Sequence, residues 1–323
     1  MTDIAVSSSP AHIPVLLNEA VAELLTEPNG FYVDGTFGRG GHSTKILSEL
    51  GDDARLVAFD KDPEAIAIGH KLALADSRFS IIHDSFSAVD KLDSYPGGSK
   101  GITGVLLDLG VSSPQLDQSE RGFSFMQDGP LDMRMNPKKG LSAAEWLSEV
   151  SVQELAQVLK DYGDERYAKR IANFIVDAQQ AKALEGKKIE STVELAEIIK
   201  AGHPNWEHNK HPATRAFQAI RIKINGELDD LALALDRYTR QLQSGGRLAV
   251  ISFHSLEDRL VKRFMREKSQ QVKLPKNLPM TDFEAGLEKP KFRLASKAIK
   301  ASKAELDDNI RARSAVLRVL EKV

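Results

Sequence analysis

Apolar residues along this chain follow two spacings. Short, nearly continuous runs of strand character occur at Phe31-Tyr-Val-Asp34, Arg55-Leu-Val-Ala-Phe-Asp60, Phe79-Ser-Ile-Ile-His83 and Ile102-Thr-Gly-Val-Leu-Leu-Asp108. Between them the spacing turns helical, as at Ile46, Leu47 and Leu50, and again after Pro63. An earlier stripe of Leu17, Val21, Leu24 and Leu25, within residues 12–25, predicts a helix that packs near the first strand. Strands alternating with helices imply an α/β fold built on a parallel sheet. From Ser142 to about Ala201 the pattern is helical throughout: Ser142-Ala-Ala-Glu145 forms a capping box, and amphipathic helices are expected over 152–159, 165–179 and 192–200. Sheet character returns at 245–253 after a helix over 226–242, and two late strands are expected at 292–299 and 314–320. Ser255 is expected to cap a helix starting at Leu256, with Asp258 at the capping-box position. The resulting plan is a sheet domain over 1–112 and 213–323, interrupted by a mainly helical domain over 113–212.

Ligands of such sheets lie beyond the C-terminal strand ends, so those ends hold the candidate chemistry. The first strand runs into Gly35-Thr-Phe-Gly-Arg-Gly-Gly41, whose glycines allow positive φ and close approach of a ligand to the main chain. A glycine cluster by itself is also an ordinary tight turn. Asp60 closes the second strand at about the separation where a carboxylate meets ribose hydroxyls, which shifts the balance toward a ribose-bearing ligand. Asp34, Asp84 and Asp108 occupy the other strand ends. Each alone reads equally as a cap or a solvated acid. The Gly- and Pro-rich passage from Leu109 to Gly140, which carries Gly122-Phe-Ser-Phe125 and Arg134, reads either as a lid or as a packed irregular segment.

Composition narrows the chemistry. The 323 residues, 41% of them hydrophobic, suffice for about two domains with real cores. No apolar run reaches bilayer-spanning length, and the first ten residues lack a secretory pattern, so a cytoplasmic protein with no membrane partner is expected. The absence of cysteine removes disulfides, thiolate zinc sites and a thiolate nucleophile, and no metal site is expected. A net charge of −2 gives no overall pull toward nucleic acid. A local tract does: Arg259, Lys262, Arg263, Arg266, Lys268, Lys273, Lys276, Lys289, Lys291, Arg293, Lys297, Lys300 and Lys303 suit a polyanion, or else a merely soluble surface. Lys169 and Arg170 on a predicted helix read the same two ways.

Seven strings carry a resemblance: Asp34-Gly-Thr-Phe-Gly-Arg-Gly-Gly-His42, Leu107-Asp-Leu-Gly-Val-Ser-Ser-Pro-Gln115, Gly122-Phe-Ser-Phe125, Pro130-Leu-Asp-Met-Arg-Met135, His211-Pro-Ala-Thr-Arg-Ala-Phe-Gln-Ala219, Ser252-Phe-His-Ser-Leu-Glu-Asp-Arg259 and Arg311-Ala-Arg-Ser-Ala-Val-Leu-Arg318. Together they resemble the bacterial small-subunit ribosomal RNA cytosine-N4 methyltransferase H family, over about residues 12–320. The resemblance implies a class I S-adenosylmethionine-dependent methyltransferase with an inserted helical domain, acting on a cytidine in the decoding region of 16S rRNA within the small ribosomal subunit. It also implies cofactor contacts at Gly40, Gly41, His42, Asp60, Phe86, Asp108 and Gln115. The Asp/Asn-Pro-Pro-aromatic motif of many amino-methyltransferases is replaced here by Asp108-Leu-Gly-Val-Ser-Ser-Pro-Gln115, so the roles of that motif do not transfer. As catalytic candidates we take Asp108, an acceptor for the N4 proton, and His254 at the tip of the returning strand; each also has a non-catalytic reading. The runner-up is a dinucleotide-dependent oxidoreductase, which shares the glycine turn and the strand-end acid. A non-catalytic RNA-binding assembly protein is the third reading.

Overall fold

The computed structural model describes residues 14–95, 97, 101–204, 211–271 and 289–323. The chain divides into two compact units: one of residues up to Asp60, Glu64–Leu109 and Ala234–Val323, the other of Lys61–Pro63 and Gly110–Leu233.

The first unit is built on an eight-stranded sheet. Four strands come in the first third of the chain: β1 (Phe31–Asp34), β2 (Arg55–Asp60), β3 (Phe79–His83) and β4 (Ile102–Asp108). The others are β5 (Leu242–Ser252), β6 (Phe292–Leu294), β7 (Ile299–Lys300) and β8 (Val316–Lys322). Their spatial order is β3-β2-β1-β4-β5-β8-β6, with β7 also on β8. The strands β3 to β5 are parallel, whereas β8 runs antiparallel to β5 and to β6 and β7. Parallel strands covered on both faces need apolar residues at successive positions, and β1 is buried throughout while β4 is buried up to Asp108. Helices α1 (Leu17–Leu24), α2 (Gly41–Glu49) and α3 (Pro63–Ala75) come between or before these strands, and Val21, Leu24, Ile46 and Leu47 join Tyr32, Leu56 and Leu106 in one core.

The late strand expected over 292–299 is broken in two. On β8, Leu294 pairs with Leu320 and Ile299 with Leu317, so the outer strand spends two residues more than its partner over the same stretch. The excess lies in residues 295–298, which separate β6 from β7.

The second unit is helical. α4 (Ser113–Asp117) opens it, followed by α5 (Ala143–Glu149), α6 (Val152–Gly163), α7 (Ala168–Leu184), α8 (Thr192–Gly202) and α9 (Ala213–Asn225), and then the first half of α10 (Glu227–Gln241). Ser142 caps α5 with Glu145 in the expected capping box. Helix α6 packs on both α7 and α9. Helix α9, expected with the sheet, buries Ala216, Phe217 and Ile220 in the helical core instead, which moves the return to the sheet unit into α10.

The irregular passage 109–140 is packed rather than loose. Phe123, Leu131 and Met133 are buried, the latter two within the helical core. Met133 sits at φ 63, a left-handed conformation costly for a side-chain-bearing residue. Bonds from two sides hold it there: Met133 N–H donates to the Arg121 carbonyl (3.1 Å) and the Asn225 amide donates to the Met133 carbonyl (2.8 Å).

Candidate functional site

The strand tips of the sheet unit gather most of the expected site residues. Beyond β1 the chain stays stitched to both neighbours: Gly35 N–H donates to the Leu106 carbonyl (2.8 Å) and Phe37 N–H to the Phe59 carbonyl (3.0 Å). The glycine turn that follows is closed by Asp60, whose Oδ2 accepts from Gly38 N–H at 2.7 Å. Phe86, half-buried, packs over the turn, because a Cβ on Gly35 would come 2.9 Å from the Phe86 Cβ.

The glycines serve different ends. Gly40 caps α2 in a left-handed conformation (φ 79) against the Phe37 ring. Gly41 leaves room for Pro14, whose Cγ would lie 2.2 Å from an added Cβ. Gly38, at φ 56, faces open space within 4 Å of where its Cβ would stand. The position where a ligand can approach the main chain is therefore Gly38, which the sequence reading included in the motif without singling out. Its signal was the Gly-x-Gly spacing with Gly40.

Around Asp108 lies a polar cluster. Its N–H donates to Thr36 Oγ1 (2.6 Å), tying β4 to the turn after β1. His42, buried on the first turn of α2, has Nε2 3.2 Å from the Val15 carbonyl and Nδ1 3.5 Å from Asp108 Oδ2. With Nε2–H donating to Val15, Nδ1 presents a lone pair to Asp108, and a proton between the two satisfies both. A quarter of the Asp108 side chain is exposed, yet Oδ1 itself is buried without a hydrogen-bond partner. Burial, reinforced by the charges of Asp34 and Glu257, holds the Asp108 carboxyl well above the usual carboxylate range. Asp34 is fully buried and accepts from Ser43 Oγ (2.7 Å) and Thr36 N–H (3.1 Å); burial outweighs those bonds and raises its pKa too.

His254 stands at the tip of β5 and caps α11 (Ser255–Ser269), a role expected of Ser255. The helix starts one residue earlier than expected because His254 is extended (φ −135, ψ 163) and its Nδ1 accepts from Glu257 N–H at 3.4 Å. Glu257, not Asp258, completes the capping box: it is buried and accepts from Phe253 N–H (2.8 Å) and His254 N–H (3.3 Å). His254 Nε2 lies 3.0 Å from Glu257 Oε1 but outside hydrogen-bonding alignment, so this buried nitrogen has no hydrogen-bond partner. Glu257 was missed by the sequence reading, where its signal was the spacing of three residues after His254.

Gln115 belongs to the helical unit. Its carbonyl accepts from Ser112 N–H (2.9 Å) in the cap of α4, and its amide donates to Asp62 (2.8 Å), which also pairs with Arg121 (2.8 Å). Among the described residues, no group of three or more His, Cys, Asp or Glu could hold a metal ion, and no helix is long and apolar enough to cross a membrane.

A model of the MraW methylase family matches residues 9–323. The chain belongs to that family. Over 312 residues, 97% of each chain, it is 52% identical to the ribosomal RNA small subunit methyltransferase H of Marinomonas sp. (strain MWYL1). It is also similar, at 13% identity and a TM-score of 0.40 over 99% of each chain, to the crystal structure of an rRNA methylase from Streptococcus thermophilus. This MraW methylase is thus an S-adenosylmethionine-dependent enzyme of the class I fold, and the oxidoreductase and non-catalytic readings fall. The site suits the cofactor: open main chain at Gly38, a carboxylate at the β2 tip and a buried Asp108 oxygen lacking a partner are what a nucleoside with a charged amino-acid tail would use.

Proposed function

We propose that this methylase modifies the exocyclic N4 of a cytidine in the decoding region of 16S rRNA, on the small ribosomal subunit in the cytoplasm. The 52% identity to a methyltransferase named for small-subunit rRNA supports the substrate class. In this reading Gly40, Gly41, His42, Asp60, Phe86, Asp108 and Gln115 hold the cofactor, with Asp60 on the ribose and Phe86 beside the adenine, and the helical domain of 113–212 recognises the substrate. When bound, S-adenosylmethionine supplies an electrophilic methyl group on a sulfonium.

The observation that carries the N4 assignment is Asp108: a carboxyl at the β4 tip with a raised pKa and an oxygen lacking a partner. Cytosine N4 is a weak nucleophile that must shed a proton when it is alkylated. A carboxylate made more basic by burial accepts that proton better than a solvated one. His42, 3.5 Å from Oδ2, orients the carboxyl and offers the proton a second site. His254 and its buried Glu257 stand at the neighbouring strand tip as a second polar pair toward the base. The chain has no cysteine, which removes the usual thiolate route to cytosine C5 and favours the exocyclic nitrogen. The target base must be unpaired to reach a pocket.

Phosphate contacts fall to the exposed stripe Arg259, Lys262, Arg263 and Arg266, spaced to share one face of α11. Of the wider tract, Lys273 and Lys276 lie outside the described residues. The test is a nucleoside map by mass spectrometry of 16S rRNA from small subunits incubated with enzyme and labelled cofactor. N4-methylcytidine at one decoding-region position is expected; label on another atom or base would overturn the assignment.

A further inference from the structure

Helix α7 carries a surface that the methyl-transfer site does not use. Between Asp164 and Asp177 the exposed residues are Arg166, just before the helix, and Lys169, Arg170 and Phe174 on it. Phe174 is 38% exposed among these cations. The ring is braced rather than free: it lies against Gly202 of α8, where an added Cβ would come 3.2 Å from the Phe174 Cγ. The Arg170 guanidinium carbon stands 5.6 Å from the ring centroid, and one turn earlier Arg166 makes the same contact with Tyr167 at 5.7 Å. A shallow groove of about 600 Å³ opens here, lined by Lys169, Arg170, Asn173, Phe174 and Asp177.

We propose that this groove is a binding site for an unpaired nucleotide of the RNA substrate, stacked on the Phe174–Arg170 platform with its phosphates toward Arg166 and Lys169. The proposal rests on the RNA reading above and adds a second point of contact, on the helical unit. Two features favour a nucleotide over a peptide. An aromatic ring paired with a guanidinium offers two planar surfaces on which any base can stack. At the same groove Asn173 presents an amide, whose nitrogen already donates to the Lys169 carbonyl (2.9 Å), and Asp177 a carboxylate, groups that pair with base edges. Helix stability does not explain the cations, because Lys169 and Arg170 sit in a first turn that holds no acidic residue, where positive charge opposes the helix dipole.

The test uses the full-length enzyme and a fluorescein-labelled single-stranded oligocytidylate, read by anisotropy across a salt series. Phe174→Ala is expected to weaken binding about tenfold, the scale of removing one base stack. Phe174→Trp is expected to restore the affinity and to show quenched tryptophan emission on adding RNA. Arg170→Glu should weaken binding and flatten its salt dependence. Cofactor affinity and melting temperature should match the parent in all three. Parent-like RNA affinity of Phe174→Ala would overturn the site. So would a loss that Phe174→Trp fails to restore, which marks a structural ring, or a loss seen on assembled subunits alone, which marks a ribosomal-protein contact. Failure of the functional reading is separate, since a parent enzyme that binds oligocytidylate without methylating cytidine N4 removes the proposed reaction and leaves this groove standing.

Discussion

At the scale of single residues, Asp108 links stability and reactivity with opposite signs. Its folded pKa is raised, so the native state holds that proton more tightly than the unfolded chain does. The ionised carboxylate is therefore a destabilising element that appears as pH rises above the ordinary carboxylate range. Asp108→Asn should melt higher than the parent at neutral pH, and the gap should close as pH falls from the raised pKa toward the usual aspartate value. Calorimetry across pH 4–8 checks this. Methyl transfer should respond the other way, with kcat about 10²–10⁴-fold lower. The acid limb of the parent's pH–rate profile, set by ionisation of Asp108, should disappear from the variant's residual activity. A variant less stable than the parent at neutral pH would show that the His42 contact outweighs the burial of charge. Asp60 illustrates what sequence could and could not show at this scale. Its place at the strand end was legible from the apolar run before it, but its bond to Gly38 N–H depends on the path of the turn, which no spacing rule supplies.

At the scale of elements, the irregular passage is held by main-chain contacts, and Gly122 is its most confined point. At φ 73 an added Cβ would stand 2.3 Å from the Pro130 carbonyl oxygen and 2.6 Å from the Asp132 nitrogen, atoms that cannot swing aside as a side chain would. Gly122→Ala should cost about 3 kcal/mol, combining a left-handed alanine with a backbone clash. Gly140→Ala has the same φ and open space, so it should cost about 1 kcal/mol. Urea unfolding followed through the buried Trp146 measures both, and equal costs would show that the passage yields at Gly122. Strands β1 to β4 were legible because buried parallel strands write themselves as apolar runs. The order of this passage was not, since its clamp, Asn225, lies some ninety residues away in sequence. The cap of α11 was misplaced for a different reason: histidine is an uncommon cap, and Ser255 beside it fits the usual preference. Residues of α9 were expected with the sheet from the domain plan alone, and even an amphipathic period gives the apolar face of a helix and not the core that face will join.

For the molecule as a whole, a net charge of −2 means that association with RNA must come from local fields rather than bulk attraction. A single charge reversal confuses the two, because it changes the global field as well as the local one. Arg263→Glu with Arg266→Glu lowers the net charge by four; so does Lys187→Glu with Lys188→Glu, an exposed and a half-buried position on the helical unit outside both proposed surfaces. If α11 contacts phosphate, the first pair should flatten the dependence of log affinity on log salt by about 0.7 to 0.9 for each phosphate no longer neutralised, and the second should leave it near that of the parent. The Arg263–Glu267 pair is exposed on one helix, so reversing Arg263 costs the fold little. Matched melting curves make the comparison fair. Equal slopes for both double variants would mean that charge acts through the global field, and α11 would drop out of the interface. A flattened slope in the first pair alone, with methylation of assembled subunits reduced in KM more than in kcat, would place the stripe on the RNA and separate recognition from the chemistry at Asp108.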